Sequence, residues 1–360
     1  MEDSEIIELA CDVFSKITDD LNAGVYTELG GNLSVRWSED KCFYAWAAVG
    51  STVKEPPDHY IGLTYDTVLL LYRDIEIYCK YVEHGIDKNI LNSLLQDFSY
   101  PQDLYLEDSV ENCHKNMFIS ALTWIFFHEL GHLVQEHGHI RDMYNCNKNN
   151  RIVDCSVVDN DDYVHLTGKP AAVSHVTEMA ADFFSTVFCL RALLRHFRKH
   201  QLTNEIIRFT PSVALVLYRF QGVSSYIQTE TPEGTHPQAL VRLEQVMPLI
   251  YEFYSNFQLL ERNENDLNRL DLINITSWSS FSVGLFWMRK NKQAEISENY
   301  FLSGSFQRPG MVHYHQEMIE IWDEIKPEID KVKRFDDPFS ELQFSDQYRT
   351  KIMDLLKVKT

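Results

Sequence analysis

The chain has 360 residues, 44% of them hydrophobic and 12% aromatic, which is enough apolar material for a sizeable core and too much for a disordered chain. Its formal net charge of −20 repels phosphate backbones and argues against nucleic acid as a partner. The acidic start MEDSEIIELACDVFSKITDD lacks the pattern of a signal peptide, and the longest apolar run, Met117 to Phe127, is too short to span a bilayer; the expected setting is cytoplasmic, with no membrane partner.

In chain order, residues 4–20 read as an amphipathic helix. Asn32–Trp37 and Cys42–Val49 are short, aromatic and β-branched, and they predict a hairpin turned at Ser38-Glu39-Asp40. After Pro56-Pro57, His59–Thr64 reads as a strand, and Asp66 is placed to cap a helix running to about Val82. The next helix is expected from about Val110 to His137, stopped by Gly138. Residues 139–175 are polar and irregular and predict a loop. A second strongly apolar helix follows from about Ser174 to His200, with further helices over 203–228, 237–260 and 264–292 and a helical pair within 310–356. The seven cysteines are odd in number and form no CxxC pair, which fits a reducing compartment. The balance is α+β, mainly helical, with a small N-terminal sheet.

His128-Glu129-Leu130-Gly131-His132 is an HExxH motif. On a helix, residues four apart share a face, so both imidazoles reach one ion and Glu129 projects beside them. The flanks FISALTWIFF and LV are apolar, as a buried helix requires and a merely solvated charged triplet does not. The spacing that would supply a third histidine ten residues after His128 falls on Gly138. His137 and His139 flank it and read as solvated histidines at a helix end. Glu178-Met179-Ala180-Ala181-Asp182 offers the alternative: Glu178 as the third metal ligand, and Asp182 one turn on to accept the other ring N–H of a ligand histidine. The small residues at 180 and 181 permit close helix approach. Two imidazoles and a carboxylate suit one Zn2+ per chain and leave a position for water, from which Glu129 takes a proton as general base.

With HELGH and EMAAD some fifty residues apart, the chain resembles the gluzincin metallopeptidases. Thr235-His236-Pro237-Gln238-Ala239-Leu240-Val241-Arg242 is similar to the HPxxxxR element of the CAAX-prenyl endopeptidases and their heat-shock relatives. That likeness implies that His236 assists substrate or oxyanion and that Arg242 helps to hold the site together. A turn histidine ahead of a helix remains the plain alternative for His236, with Tyr218 and Tyr226 as competing oxyanion donors. The soluble Lit-type phage-exclusion peptidases are closer in character. Those enzymes are known for cleaving elongation factor Tu, and the likeness, over about residues 56–250, implies a zincin-like fold and a role in anti-phage (abortive infection) defence.

The expected organisation is an N-terminal helix and hairpin over 1–55, a zincin-like metallopeptidase core over 56–260 with the sheet packed on the HExxH helix, and a C-terminal helical extension over 261–360. The expected function is zinc-dependent hydrolysis of a peptide bond in a specific protein or peptide substrate; His59–Thr64 is a candidate edge for substrate added as a strand, with an ordinary core strand as the plain alternative to which its side chains point. Residues 139–175 and the C-terminal helices are candidate gates. A zinc-containing interaction or regulatory protein, its metal purely structural, is the alternative.

Overall fold

Three short strands form near the N-terminus, but not as a hairpin: β1 (Asn32–Ser38), β2 (Ala45–Val49) and β3 (Asp58–Thr64) make one sheet in the order β1-β3-β2. β3 runs parallel to β1 and antiparallel to β2. The expected pairing of 32–37 with 42–49 is therefore corrected, because β3 inserts between them. β3 is the most buried of the three, and a central position satisfies its backbone on both sides. The ring of Trp46 lies over Gly62, where a Cβ would come within 2.0 Å of it. The central position makes His59–Thr64 an ordinary core strand and excludes substrate addition beside it, since both edges of β3 are already paired.

The computed structural model describes residues 1–94, 104–105, 108–146, 166–222, 228–261, 268–291 and 303–359. α1 (Asp3–Leu21) starts in a capping box between Glu2 and Glu5 and continues into a π-helical turn, Asn22–Tyr26. α2 (Tyr65–Glu83) is capped by Thr64, two residues earlier than the expected Asp66, with its hydroxyl accepting from the Thr67 N–H. A short α3 (Lys88–Leu94) follows.

α4 (Val110–Val134) begins at Ser109, whose side chain accepts from the Asn112 N–H. Among the described residues it is the one helix long and apolar enough to cross a membrane, and 78% of its apolar window is buried inside the fold. It does not run to Gly138. Glu136 takes a left-handed conformation (φ 53°, ψ 38°), which stops α4 and starts α5 (His137–Met143) in a new direction. Within the expected 139–175 loop, residues 139–143 and 168–175 are thus helical, and 147–165 lie outside the described residues. α6 (Gly168–His196) starts a turn and a half earlier than Ser174, with Pro170 tolerated in its first turn. An extended Phe197 breaks it from α7 (Lys199–Gln221). Then come α8 (Ala239–Glu261), α9 (Arg269–Lys290), α10 (Met311–Val332) and α11 (Asp346–Lys359).

The result is α+β and mainly helical, with the small sheet packed on α4 through β2 and β3. One apolar core joins α1, the sheet, α2, α4, α7, α8 and α9; a second gathers α10 and the C-terminal residues Leu342, Phe344 and Ile352. α6 belongs to both, with Ala171–Ala180 in the second core and Phe184–Leu194 in the first. Each large side chain buried in these cores, Trp124 and Trp287 among them, stabilises the fold by roughly 1.5–3 kcal/mol. Where α6 passes from one core to the other it carries Glu178 and Asp182.

Candidate metal centre

α4 and α6 cross at close range because of small residues. A Cβ on Gly131 would stand 3.2 Å from the Ala181 Cα and 3.2 Å from the Phe184 ring, so glycine within HELGH lets the helices meet. The crossing sets His128 and His132 of α4 against Glu178 of α6, all three buried. Nε2 of His128 lies 3.2 Å from Nε2 of His132. Glu178 Oε1 is 3.2 Å from His132 Nε2, and Glu178 Oε2 is 3.3 Å from His128 Nε2. A tetrahedrally held divalent cation with bonds of about 2.0–2.1 Å sets its ligand atoms about 3.3 Å apart. The separations have that size, although the two imidazoles face different oxygens of the one carboxylate, and the donors are two imidazoles and a carboxylate, so this buried cluster fits a metal ion.

The surroundings fix these side chains. His128 Nδ1 is 2.9 Å from Asp182 Oδ1. Asp182 in turn accepts two hydrogen bonds from Arg242, from Nε at 2.8 Å and Nη2 at 2.7 Å. Arg242 arrives from the first turn of α8, whose start is capped by the Gln221 side chain accepting from the Ala239 N–H at 2.6 Å. His236 lies just before that helix. Its Nε2 stands 3.4 Å from Glu178 Oε1, and its Nδ1 is 2.7 Å from the Thr235 hydroxyl.

Two contacts come from residues that the sequence pattern did not single out as part of the site. His137 is fully buried, not solvated as its place at a helix end suggested, and its Nδ1 is 2.9 Å from His132 Nδ1. His139, two residues on, is half-buried. Arg141 donates from Nη2 to Glu178 Oε1 at 2.8 Å and from Nε to the Thr177 hydroxyl at 2.9 Å. The signal was there in HxxxR at 137 and 141, one face of a helical turn, but it requires knowing that a second helix starts at 137.

Burial opposes charge throughout this cluster, and the partners overcome it. For His128, desolvation is the largest single influence, yet the Asp182 and Glu178 carboxylates together raise it to about 10. Glu178 stays well below the usual carboxylate range despite burial, held there by His236, His132 and His128. Asp182 is likewise lowered against its burial, chiefly by Arg242. His137 is pushed well below the ordinary imidazole value by burial first and by His132 and Arg141 next, so it is neutral and able to accept a hydrogen bond.

Beside the cluster lies a cavity of about 20 Å³, bounded by Glu129, His128, Glu178, His236 and Arg242 and walled by Ala45 of β2 and Phe220 of α7. That is room for about one water-sized group. Tyr218 is buried within α7 and does not line this cavity; Tyr226 lies outside the described residues.

This helical α+β protein is built around a buried His-His-Glu cluster that could hold a metal ion, with a further carboxylate on an adjoining cavity. The model of the family Peptidase U49 matches residues 71–252, a little over half of the chain and the whole of α4 and α6. The chain belongs to the Peptidase U49 family, and it is accordingly a peptidase, whose substrates are proteins or peptides. No curated protein and no solved structure matches it.

Proposed function

We propose that the chain is a zinc-dependent endopeptidase of the cytoplasm that cuts a specific protein target. The observation that carries this reading is the convergence of two imidazole Nε2 atoms 3.2 Å apart, each 3.2–3.3 Å from one oxygen of the Glu178 carboxylate, at a cavity that Glu129 also lines. His128, His132 and Glu178 would hold the ion. When bound, zinc would polarise the scissile carbonyl and lower the pKa of a water to about 7. Imidazole and carboxylate donors suit zinc among the divalent metals.

The chain's own groups do the rest. Glu129 accepts a proton as water attacks the amide carbon and returns it to the leaving amine. With the Thr235 hydroxyl donating to Nδ1, His236 would carry its hydrogen on Nε2, beside Glu178 Oε1 at the cavity, and would donate it to the oxygen on which charge develops. Arg242 fixes Asp182, and the Asp182 carboxylate stands 2.9 Å from His128 Nδ1, so His128 keeps Nε2 turned inward.

The sheet supplies a track for substrate at β2. The Gly50 N–H bonds to the Asp58 carbonyl at 2.7 Å and the Thr64 N–H to the Tyr44 carbonyl at 3.1 Å, so residues 44, 46, 48 and 50 turn their backbone groups toward β3. By alternation, those of Ala45, Ala47 and Val49 face the outer edge of the sheet. Ala45 also walls the cavity. A substrate segment paired along that edge would therefore deliver its scissile bond to Glu129.

The test is Glu129→Gln. Peptide turnover should fall by about 10²–10⁴, with metal content and fold unchanged, and proteomics of cells expressing wild type or this variant should show a protein fragment only with wild type. The resemblance to phage-exclusion peptidases extends the reading to anti-phage defence, for which phage plating should depend on Glu129 in the same way. Undiminished function in Glu129→Gln would defeat the enzymatic reading and favour a protein whose metal is structural.

A further inference from the structure

The short helix α5 does more than leave the site. Because Glu136 is left-handed, the chain turns back, and His137 and Arg141, four residues apart, share a face. Each reaches one metal-ligand residue, and the two residues lie on different helices: His137 touches His132 of α4, and Arg141 touches Glu178 of α6.

The chemistry of the two contacts differs. If His132 turns Nε2 to a cation, its Nδ1 carries the hydrogen and donates to His137 Nδ1. That bond fixes the ring and makes it a better donor to metal. Arg141 acts oppositely. Its guanidinium, aimed by the bond to Thr177, holds a positive charge on an oxygen of the carboxylate that a cation needs. With Asp182 bound twice by Arg242, each carboxylate of the cluster has its own guanidinium. Two guanidinium charges thereby offset the two carboxylates, and an entering cation gains less attraction than a bare carboxylate would give it.

We propose that α5 sets the metal affinity of the site through two opposed positioning residues, His137 strengthening it and Arg141 weakening it, so that the ion is held exchangeably. The proposal rests on the metal-centre reading above. Opposed signs separate it from general structural damage, which weakens binding in every variant.

The experiment is titration of the full-length, metal-stripped protein with Co²⁺ and with Zn²⁺ against a competing chelator. His137→Phe is expected to bind about tenfold more weakly. Arg141→Gln is expected to bind about tenfold more tightly, from the loss of a charge in contact with the ligand carboxylate. Thr177→Val, which leaves the charge but removes its aim, is expected to shift affinity a few-fold in the tighter direction. It decides the matter should Arg141→Gln not fold. Equal or weaker binding in Arg141→Gln, or in Thr177→Val when that variant must stand alone, overturns the proposal. Failure of the wild type to bind either ion is a separate result, and it removes the metal-centre reading itself.

Discussion

Two buried polar clusters adjoin the C-terminal end of α4, and burial has opposite outcomes in them. In the first, His128 faces two carboxylates and is raised to about 10 in spite of desolvation. In the second, Tyr26 and His59 meet through a 2.8 Å hydrogen bond, His59 Nε2 lies 4.0 Å from Glu136, and Glu136 pairs with Arg334. There burial prevails: with Arg334 assisting, it pushes His59 down to about 3, and it raises the Glu136 carboxyl. Both clusters hold a histidine near a buried carboxylate. The difference is that carboxylates approach both ring nitrogens of His128 within hydrogen-bond reach, whereas His59 has one distant carboxylate already claimed by a guanidinium. The first arrangement stabilises positive charge and suits a cation. The second excludes charge and works as a joint.

The joint has a definite mechanical content. Arg334 follows α10, outside the span matched by the family model. It donates to the Glu55 carbonyl at 2.7 Å and the Thr52 carbonyl at 3.1 Å, and its own N–H bonds to the Val134 carbonyl at 2.8 Å. One residue thus ties the loop between β2 and β3 to the end of the HExxH helix. In physical terms the C-terminal segment holds the proposed substrate edge against the proposed metal ligands.

Breaking the first cluster should have the largest effect. Glu178→Gln removes the carboxylate that Arg141 contacts and that Arg242 approaches at 3.4 Å. Metal retention and peptide turnover should both be lost, and leaving guanidinium charge under-compensated in a buried site should lower stability by up to about 5 kcal/mol. Metal analysis and denaturant unfolding check this. Breaking the joint should be milder and should affect different properties. Arg334→Leu leaves Glu136 buried without its guanidinium and should cost about 3 kcal/mol, measured by urea unfolding. Metal affinity should stay near wild type, while turnover of peptides long enough to reach β2 should fall. A parallel fall in metal affinity would show that the two clusters are one unit.

The comparison also predicts opposite pH dependences. His59, His175 and His315 are all pushed to about 3, in each case mainly by burial, against 6.5 when unfolded. Between those values the unfolded chain binds more protons than the fold, so each histidine's contribution is present above about 6.5 and is lost as the pH falls toward 3. At pH 5 each accounts for about 2 kcal/mol. His128, raised instead, contributes stability that is present below about 6.5 and is lost as the pH rises through about 10 in metal-free protein. Thermal unfolding from pH 7 to 5 should show a falling Tm, less steeply in His315→Asn. A Tm flat over that range would contradict the buried-neutral assignment.

The parts of the fold that were legible in the sequence share a property: their signals are local. HExxH and ExxxD lie on single helices, and 3.6-residue periodicity alone puts each pair on one face, so α4, α6 and their apolar flanks were readable. Strand partners were not. β1 and β2 have the alternation and the intervening turn residues of a hairpin, but alternation identifies strands and says nothing of neighbours; β3 takes the centre because it has the most surface to bury. The end of α4 was misplaced for a related reason. Gly138 is the residue that suits a left-handed position, and the chain puts Glu136 there, with a buried pairing to Arg334 nearly two hundred residues away that no local pattern reveals. Missing that turn hid α5, and with it the contacts of His137 and Arg141.

The smallest expected effect is the most selective probe of the difference between the clusters. Tyr26→Phe deletes one hydroxyl, 2.8 Å from His59 Nδ1, and keeps the ring that packs edge-on to His59 at a centroid distance of 5.6 Å. The imidazole loses a buried partner, so stability should fall by about 1–1.5 kcal/mol, a change of a few degrees in Tm. Without that partner His59 has less to fix its ring, but it stays neutral, because burial holds its charge off and the hydroxyl does not. The acid limb of stability should therefore keep its wild-type slope at a lower absolute level. A steeper or shallower slope in Tyr26→Phe would mean that the hydrogen bond governs the protonation of His59, and the contrast between a charge-holding and a charge-excluding cluster would have to be redrawn around hydrogen bonding instead of desolvation.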